Sequence, residues 1–268
     1  MKLQNQLACW INTKKNYLKS TTLTSIWLAI RQQFSRCDLC SNAVGKHLLL
    51  CNHCLQDLPL FRYNLIAGDL LNWPAINKLL PKISFDHLFC LAPYQAPFNL
   101  WIMQFKYQGR FELAQLLSDL LVQHFLANTP KNLGGIKSDL EINNFYQSFD
   151  LILCVPLHIS KWQSRGYNQA HLLAEPLAKK LQCDYWPGFL QRIVNNISQV
   201  GHDGQQRRKN LRNAFKVKDD LPKRMKHILL VDDVVTTGST ASEIAKLLKK
   251  HGAERVTVLA LCLSLPHK

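Results

Sequence analysis

Four apolar residues, two adjacent acids and a turn of small hydroxyl residues follow one another in Ile228-Leu229-Leu230-Val231-Asp232-Asp233-Val234-Val235-Thr236-Thr237-Gly238-Ser239-Thr240. No other stretch constrains the fold as tightly. An apolar run of this kind suits a strand buried on both faces, and parallel strands carry ligands at their carboxyl ends. The spacing therefore predicts a strand over 228–232 with Asp232 and Asp233 at its exit. Beyond Ser239 the pattern turns helical: Ala241, Ile244, Leu247 and Leu248 share a face, Thr240 and Glu243 stand in capping-box spacing, and Gly252 supplies a stop. The helix then opens at Val235, Thr236, Thr237, Gly238, Ser239 and Thr240, where unpaired backbone N–H groups and the positive end of the helix dipole favour a phosphate dianion. The carboxylate pair beside this cradle can accept hydrogen bonds from the vicinal hydroxyls of a ribose or hold a hard divalent cation. A ribose 5-phosphate satisfies both halves of the pattern. The alternative is an ordinary strand-to-helix turn with an acidic exit, for which Asp-Asp before Thr-Thr-Gly is unusual chemistry.

The remaining periodicities set an alternating frame. Asp150 to Val155 reads as a second buried strand, followed by a loop and a helix through Ala170, Leu173, Ala174, Leu177 and Leu181, which Pro176 is expected to kink. Residues 85–94 read as a first strand, Phe98 to Tyr107 and Phe111 to Phe125 as helices broken at Gly109, and 256–262 as a last strand. That alternation is the mark of a parallel α/β sheet. Asn128 to Ser148 reads as a linker or insertion, and Gln199 to Phe215 as a polar, irregular loop. A short amphipathic helix is expected to end near Arg36, behind a stretch without periodicity.

Cysteine spacing adds a separate module. Cys37-x2-Cys40 is followed, after ten intervening residues, by Cys51-x2-Cys54, and two such knuckles supply four thiolates for one tetrahedral zinc, with Gly45 at the turn between them. His47 and His53 are read as bystanders; a disulfide pair or a redox CxxC is the alternative. Cys90, Cys154 and Cys262 lie in apolar runs and are expected as buried free thiols.

Hydrophobic residues make up 47% of the 268 positions, enough for one good core and a small appended module, and no run reaches membrane-spanning length. The cysteine usage and the lack of a cleavable leader pattern point to the cytoplasm. A formal charge of +15 is concentrated in part at 207–226, where nine Lys or Arg face only Asp219 and Asp220. A field of that sign attracts phosphate-rich ligands, either a small phosphorylated sugar or a nucleic-acid strand.

The run from Ile228 to Thr240 resembles the phosphoribosyl-pyrophosphate (PRPP) signature of the type I phosphoribosyltransferases at all thirteen positions. Together with VPL at 155–157, RGYNQA at 165–170, RRKNLRNAF at 207–215, the FKYxG run at Phe105 to Gly109 and the paired CxxC motifs, the chain from about 37 to 262 is similar to the ComF/GntX family. The resemblance implies a type I phosphoribosyltransferase-like α/β domain over 80–268 and a zinc-ribbon module over 37–58, behind an N-terminal extension of residues 1–36. It implies that Asp232 and Asp233 meet the ribose hydroxyls, that residues 235–240 hold the 5-phosphate, and that the loop after Val155 holds pyrophosphate through Lys161 and Arg165. A mobile loop at about 192–212 would close over PRPP, with Gln199, Arg207 and Asn210 as clamps and Arg207 beside the two acids in catalysis. Arg208, Lys209 and Arg212 would be loop or DNA contacts, or merely a solvated basic face. Lys106 would face PRPP or nucleic acid from the active-site hood, or simply lie on a helix surface; Arg165 has a structural ion pair or a helix-start donor as its alternatives. Structural Zn2+, and Mg2+ with PRPP, are the implied cofactors. Single-stranded DNA, a DNA helicase and other competence proteins are the implied partners, in natural transformation. A phosphoribosyltransferase of nucleotide salvage and a non-catalytic PRPP-sensing regulator are the two alternative functions.

Overall fold

The computed structural model describes residues 35–44, 49–128, 149–194, 211 and 213–265. The expected N-terminal helix, most of the linker after Asn128, the turn at Gly45 with Lys46 and His47, and Gln199, Arg207, Arg208, Lys209, Asn210 and Arg212 lie outside these residues. The chain divides into two compact units, Met1–Leu58 and Pro59–Lys268.

In the first unit the Cys37 carbonyl accepts from the Ser41 amide and the Cys37 amide donates to the Asn42 carbonyl, each at 2.8 Å, which closes the first knuckle. An antiparallel bridge joins Arg36 to Ala43. The second knuckle runs into helix α1 (Asn52–Gln56), whose N-cap Cys51 accepts through sulfur from the Cys54 amide.

In the second unit a short helix α2 (Pro74–Leu79) starts on a proline, which suits a first helical turn whose amides lack partners anyway. It precedes strand β1 (His87–Pro93) and helices α3 (Phe98–Tyr107) and α4 (Glu112–Ala127). Then come β2 (Leu151–Cys154), α5 (Ile159–Arg165), α6 (Gln169–Leu181), a ribbon of β3 (Leu190–Arg192) and β4 (Phe215–Val217), β5 (His227–Val235), α7 (Ser239–Lys250) and β6 (Arg255–Leu263). The parallel sheet has the order β1-β6-β5-β2. All four strands are buried over their central residues, Leu88 to Ala92, Leu151 to Cys154, Ile228 to Val231 and Val256 to Leu263, as expected of a parallel sheet covered on both faces.

Carboxylates pin the strand ends: Asp86 accepts from the Val256 amide, and Asp150 from the Lys226 and His227 amides, all at 2.8 Å. The outer edge of β1 is covered by side chains. Tyr63, fully buried, donates its hydroxyl to the Cys90 carbonyl and accepts from the Cys90 amide, both at 2.7 Å, and Asp69 accepts from the Leu88 amide at 3.1 Å. At the opposite edge the amide of Ile152 in β2 donates to the Asp184 carbonyl at 2.8 Å.

Several expectations shift. The antiparallel β3–β4 ribbon replaces part of what reads as irregular chain in the sequence, since each of its strands is only three residues long. The strand expected over 228–232 continues to Val235, because β6 runs alongside it to Leu263. In α6 the buried face closes on Ala178 rather than Leu181, and Pro176 is accommodated within the helix. Cys90, Cys154 and Cys262 are buried free thiols.

Candidate phosphoribosyl site

The junction of β5 and α7 sets the geometry. Asp232 pairs with Ala260 in the ladder and Val235 with Leu263, so both acids lie within β5 near its carboxyl end. The Asp233 amide donates to Asp232 Oδ1 at 2.8 Å. Helix α7 begins at Gly238, whose φ of +67° lies in the left-handed region that favours glycine. No side chain caps the helix. The expected capping box of Thr240 and Glu243 does not form: Thr240 lies inside the first turn, and Glu243 pairs with Lys246 at 2.7 Å. Thr237 and Ser239 share a hydroxyl hydrogen bond at 2.8 Å. First-turn N–H groups without a side-chain cap are donors for an incoming anion.

Opposite charges meet beside this turn. Lys106, from the last turn of α3, reaches Asp233 Oδ2 at 2.8 Å, with both side chains largely buried. The reading of Lys106 as a plain surface lysine is thereby overturned. Burial alone would depress its pKa, but attraction from Asp233 and then Asp232 outweighs burial and raises it. Asp232 is pushed up to about 7, first by burial and then by the neighbouring Asp233 charge; its bond from the Asp233 amide and the cations of Lys106 and Arg192 oppose that only in part. Lys161 is shifted down by burial, then by repulsion from Arg192, Arg165 and Lys106.

Lys106, Lys161 and Arg165 line a cavity of about 570 Å³ together with Tyr107, Ser164 and Tyr167. Arg165 donates to Gln169 Oε1 at 3.3 Å and to the Tyr107 hydroxyl at 3.1 Å, and its guanidinium lies 4.9 Å from the Tyr107 ring centroid. Its partners are neutral, so the structural ion pair considered for it is not formed among the described residues. Neither Lys161 nor Arg165 has a carboxylate partner there, which leaves positive charge for an anionic ligand.

The RGYNQA run is the hinge of this loop. Gly166 ends α5 with φ of +79°, and its amide donates to the Trp162 carbonyl at 2.7 Å. The Tyr167 hydroxyl donates to the Phe105 carbonyl, tying the loop to α3. Asn168 caps α6 through the Ala170 amide at 3.1 Å and donates to the Val155 carbonyl at 3.0 Å. Gln169 and Ala170 are buried. Arg192, in β3, is a residue that sequence reasoning missed: it sits close enough to bias Asp232 and Lys161, and only the ribbon pairing brings it there. Trp101 belongs to the core, edge-on to Phe98, whereas Trp162 is 50% exposed.

In the other unit, one sulfur from each of Cys37, Cys40, Cys51 and Cys54 lies within 4.8 Å of the others, a set that can hold a metal ion. The Cys40 and Cys51 sulfurs are 3.6 Å apart, close to the roughly 3.8 Å edge of a thiolate tetrahedron with metal–sulfur bonds of about 2.3 Å. His53 is not part of the set.

A family model described as phosphoribosyl transferase domain matches residues 168–267. The DNA utilization protein YhgH of Escherichia coli O157:H7 is 35% identical over 229 residues, covering 85% of this chain and 90% of that protein. Competence protein F of Haemophilus influenzae is 33% identical over 219 residues, covering 79% and 89% respectively. A purine phosphoribosyltransferase structure from Pyrococcus horikoshii Ot3 is 14% identical, covers 56% of this chain and 72% of its own, and superposes with a TM-score of 0.31.

Proposed function

The chain belongs to the family of competence protein F and the DNA utilization protein YhgH and carries a phosphoribosyl transferase domain, and from that premise we propose that it binds PRPP and acts in the handling of single-stranded DNA during natural transformation. The observation that carries the PRPP half is the start of α7, free of a side-chain cap and a few residues along the chain from the Asp232–Asp233 pair, together with Lys106, which bonds Asp233 and lines a basic cavity with Lys161 and Arg165. In this reading the α7 amides and the hydroxyls of Thr236, Thr237, Ser239 and Thr240 take the 5-phosphate. Asp232 and Asp233 accept from the ribose hydroxyls. Lys161 and Arg165 take the pyrophosphate, and Gln199, Arg207 and Asn210 close over it.

Carboxylate oxygens suit Mg2+, and the Lys106 ammonium on Asp233 marks a point where positive charge is favoured. Asp232 and Asp233 would hold Mg2+ with PRPP; when bound, the ion would neutralise charge on the pyrophosphate. The four-cysteine set, with its soft sulfur donors, fits a structural Zn2+. The DNA half rests on the names of the relatives and on the charge of +15. No helix among the described residues is long and apolar enough to cross a membrane; we place the protein in the cytoplasm.

The pH dependence of PRPP binding tests the site. Asp232 must be ionised to serve as a charged acceptor, and its carboxyl is held at about 7 in the free protein. Affinity should therefore rise with pH through that value, by about eightfold between pH 6 and 7.5, with a proton released on binding below neutrality. The same shift works against the fold: the native state keeps a proton that the unfolded chain has lost, so stability falls as pH rises from about 4 toward 7. Calorimetry in buffers of different ionisation enthalpy reads the proton. An Asp232→Asn variant with an identical pH profile would refute the assignment, because the 5-phosphate would then account for the whole dependence.

For DNA, neutralising Arg208, Lys209 and Arg212 should weaken single-strand binding irrespective of sequence. It should also flatten the dependence of log affinity on log salt by roughly 0.7 per lost phosphate contact. PRPP should compete, since the same segment closes over the sugar. A salt slope unaltered in the triple variant would direct attention to Lys46, His47 and the cysteine knuckles instead.

A further inference from the structure

The basic cavity is lined by two lysines that their neighbours make chemically opposite. Lys106 bonds Asp233 at 2.8 Å and stays an ammonium: burial works against its charge, but Asp233 and then Asp232 outweigh burial. Lys161 is half-buried and has no carboxylate partner among the described residues. Burial, and then the charges of Arg192, Arg165 and Lys106, disfavour its protonated form, and Asp233 opposes them only in part. The charged groups that face it thus come from all sides, Lys106 from α3, Arg165 from its own helix α5, Arg192 from β3 and Asp233 from β5. The one carboxylate in that set is already engaged by Lys106. An amine so placed gives up its proton more readily than an exposed lysine, and only the neutral amine is a nucleophile.

The second half of the arrangement is a clamp for phosphate. Arg165 follows Lys161 by one helical turn, so the two side chains share a face of α5. Its guanidinium is fixed by Gln169, itself buried, and by the Tyr107 hydroxyl, both neutral, and its charge is left unanswered. A planar guanidinium in that state takes a phosphate through parallel N–H donors. A nucleophilic amine one turn from a phosphate clamp suits a molecule that carries an electrophilic carbon beside its phosphate. An alkyl phosphate would fill the clamp without offering such a carbon, and an electrophile lacking phosphate would have nothing to hold it. An acyl phosphate supplies both, since its carbonyl carbon carries the phosphate as the leaving group.

We propose that Lys161 is a modification site, acylated on Nζ by acyl phosphates whose phosphate is taken by Arg165. The neutral Nζ attacks the carbonyl carbon. A C–N bond forms, the bond from that carbon to the phosphate oxygen breaks, and the proton lost by nitrogen leaves on the phosphate as hydrogen phosphate. The product is a neutral amide, so the cavity loses one positive charge. The consequence for PRPP rests on the phosphoribosyl reading, whereas the acylation itself does not. The test treats the full chain with acetyl phosphate or with acetic anhydride, which carries no phosphate, and reads the rate at each lysine by peptide mass spectrometry. With acetyl phosphate Lys161 should react about tenfold or more faster than the exposed Lys216 and Lys218, because clamping the reagent makes the encounter intramolecular. That preference should shrink with acetic anhydride, with added pyrophosphate and in Arg165→Gln. Calorimetry should show PRPP affinity falling by about tenfold or more after acetylation, the factor for losing one charged hydrogen bond, and treatment of Lys161→Arg should cause no such fall. Acetylation of Lys161 no faster than of Lys216 and Lys218, or an equal preference for it with acetic anhydride, overturns the proposal. Failure of PRPP to bind the untreated chain, while Lys161 is still acetylated selectively, would remove the phosphoribosyl reading and leave the modification site standing.

Discussion

Replacing Asp232 and Asp233 together by alanine will reduce PRPP binding by a factor of about one hundred or more, because each charged acceptor contributes roughly 1.5 to 3 kcal/mol to its hydrogen bonds. The effect has a structural complication. Lys106 is largely buried and bonds Asp233 at 2.8 Å, so the alanine variant strands an ammonium, at a cost on the order of 3–5 kcal/mol. A parallel variant with Asn at both positions keeps the shape and the hydrogen-bonding capacity while removing the charge. Circular dichroism and thermal melting separate misfolding from loss of binding. If the folded Asn variant binds PRPP as the wild type does, the ribose assignment fails. The same variant carries the biological question: a folded protein that has lost PRPP but still supports transformation would detach the sugar site from the cellular role.

The second large effect concerns the cysteines. One zinc per chain should copurify, and Cys37→Ser or Cys54→Ser should lose it and unfold the segment around the knuckles. The described part of that unit buries little besides Cys37, Leu50, Cys51 and Leu58. A core so small cannot offset its own chain entropy, whereas zinc in such sites contributes about 10–16 kcal/mol. Elemental analysis of reduced protein and proteolysis of the variants read the two consequences. A metal-free protein whose knuckles resist protease would return the pair to redox chemistry.

How far the sequence reaches depends on how local the cause is. The strand through Ile228 to Val231 and the helix after it are dictated by periodicity, and Gly238 by the turn, so all were legible. The start of α7 was misread because Thr240 and Glu243 have the right spacing for a capping box but lie two positions too far in, the N-cap being Gly238 in its left-handed conformation. Lys106 was legible as a candidate but not its partner: 127 positions separate it from Asp233 in the chain. The approach of Arg192 to the site was invisible for the same reason, since it exists only once a three-residue ribbon pairs. What periodicity cannot register is juxtaposition.

The groups that occupy the rim of the sheet bear on how copies of this protein can associate. A bare outer strand is a template on which another chain can lay a strand of its own. Here Tyr63 spends its hydroxyl on both backbone groups of Cys90, Asp69 engages Leu88, and across the sheet Asp184 engages Ile152. Both flanks are thus occupied at mid-strand by the protein's own atoms. A neighbour that adds a strand must first evict a buried tyrosine on one side or a well-formed bridge on the other. Association through helix faces and loops meets no such barrier, and loss of Tyr63 would convert a closed margin into an adhesive one.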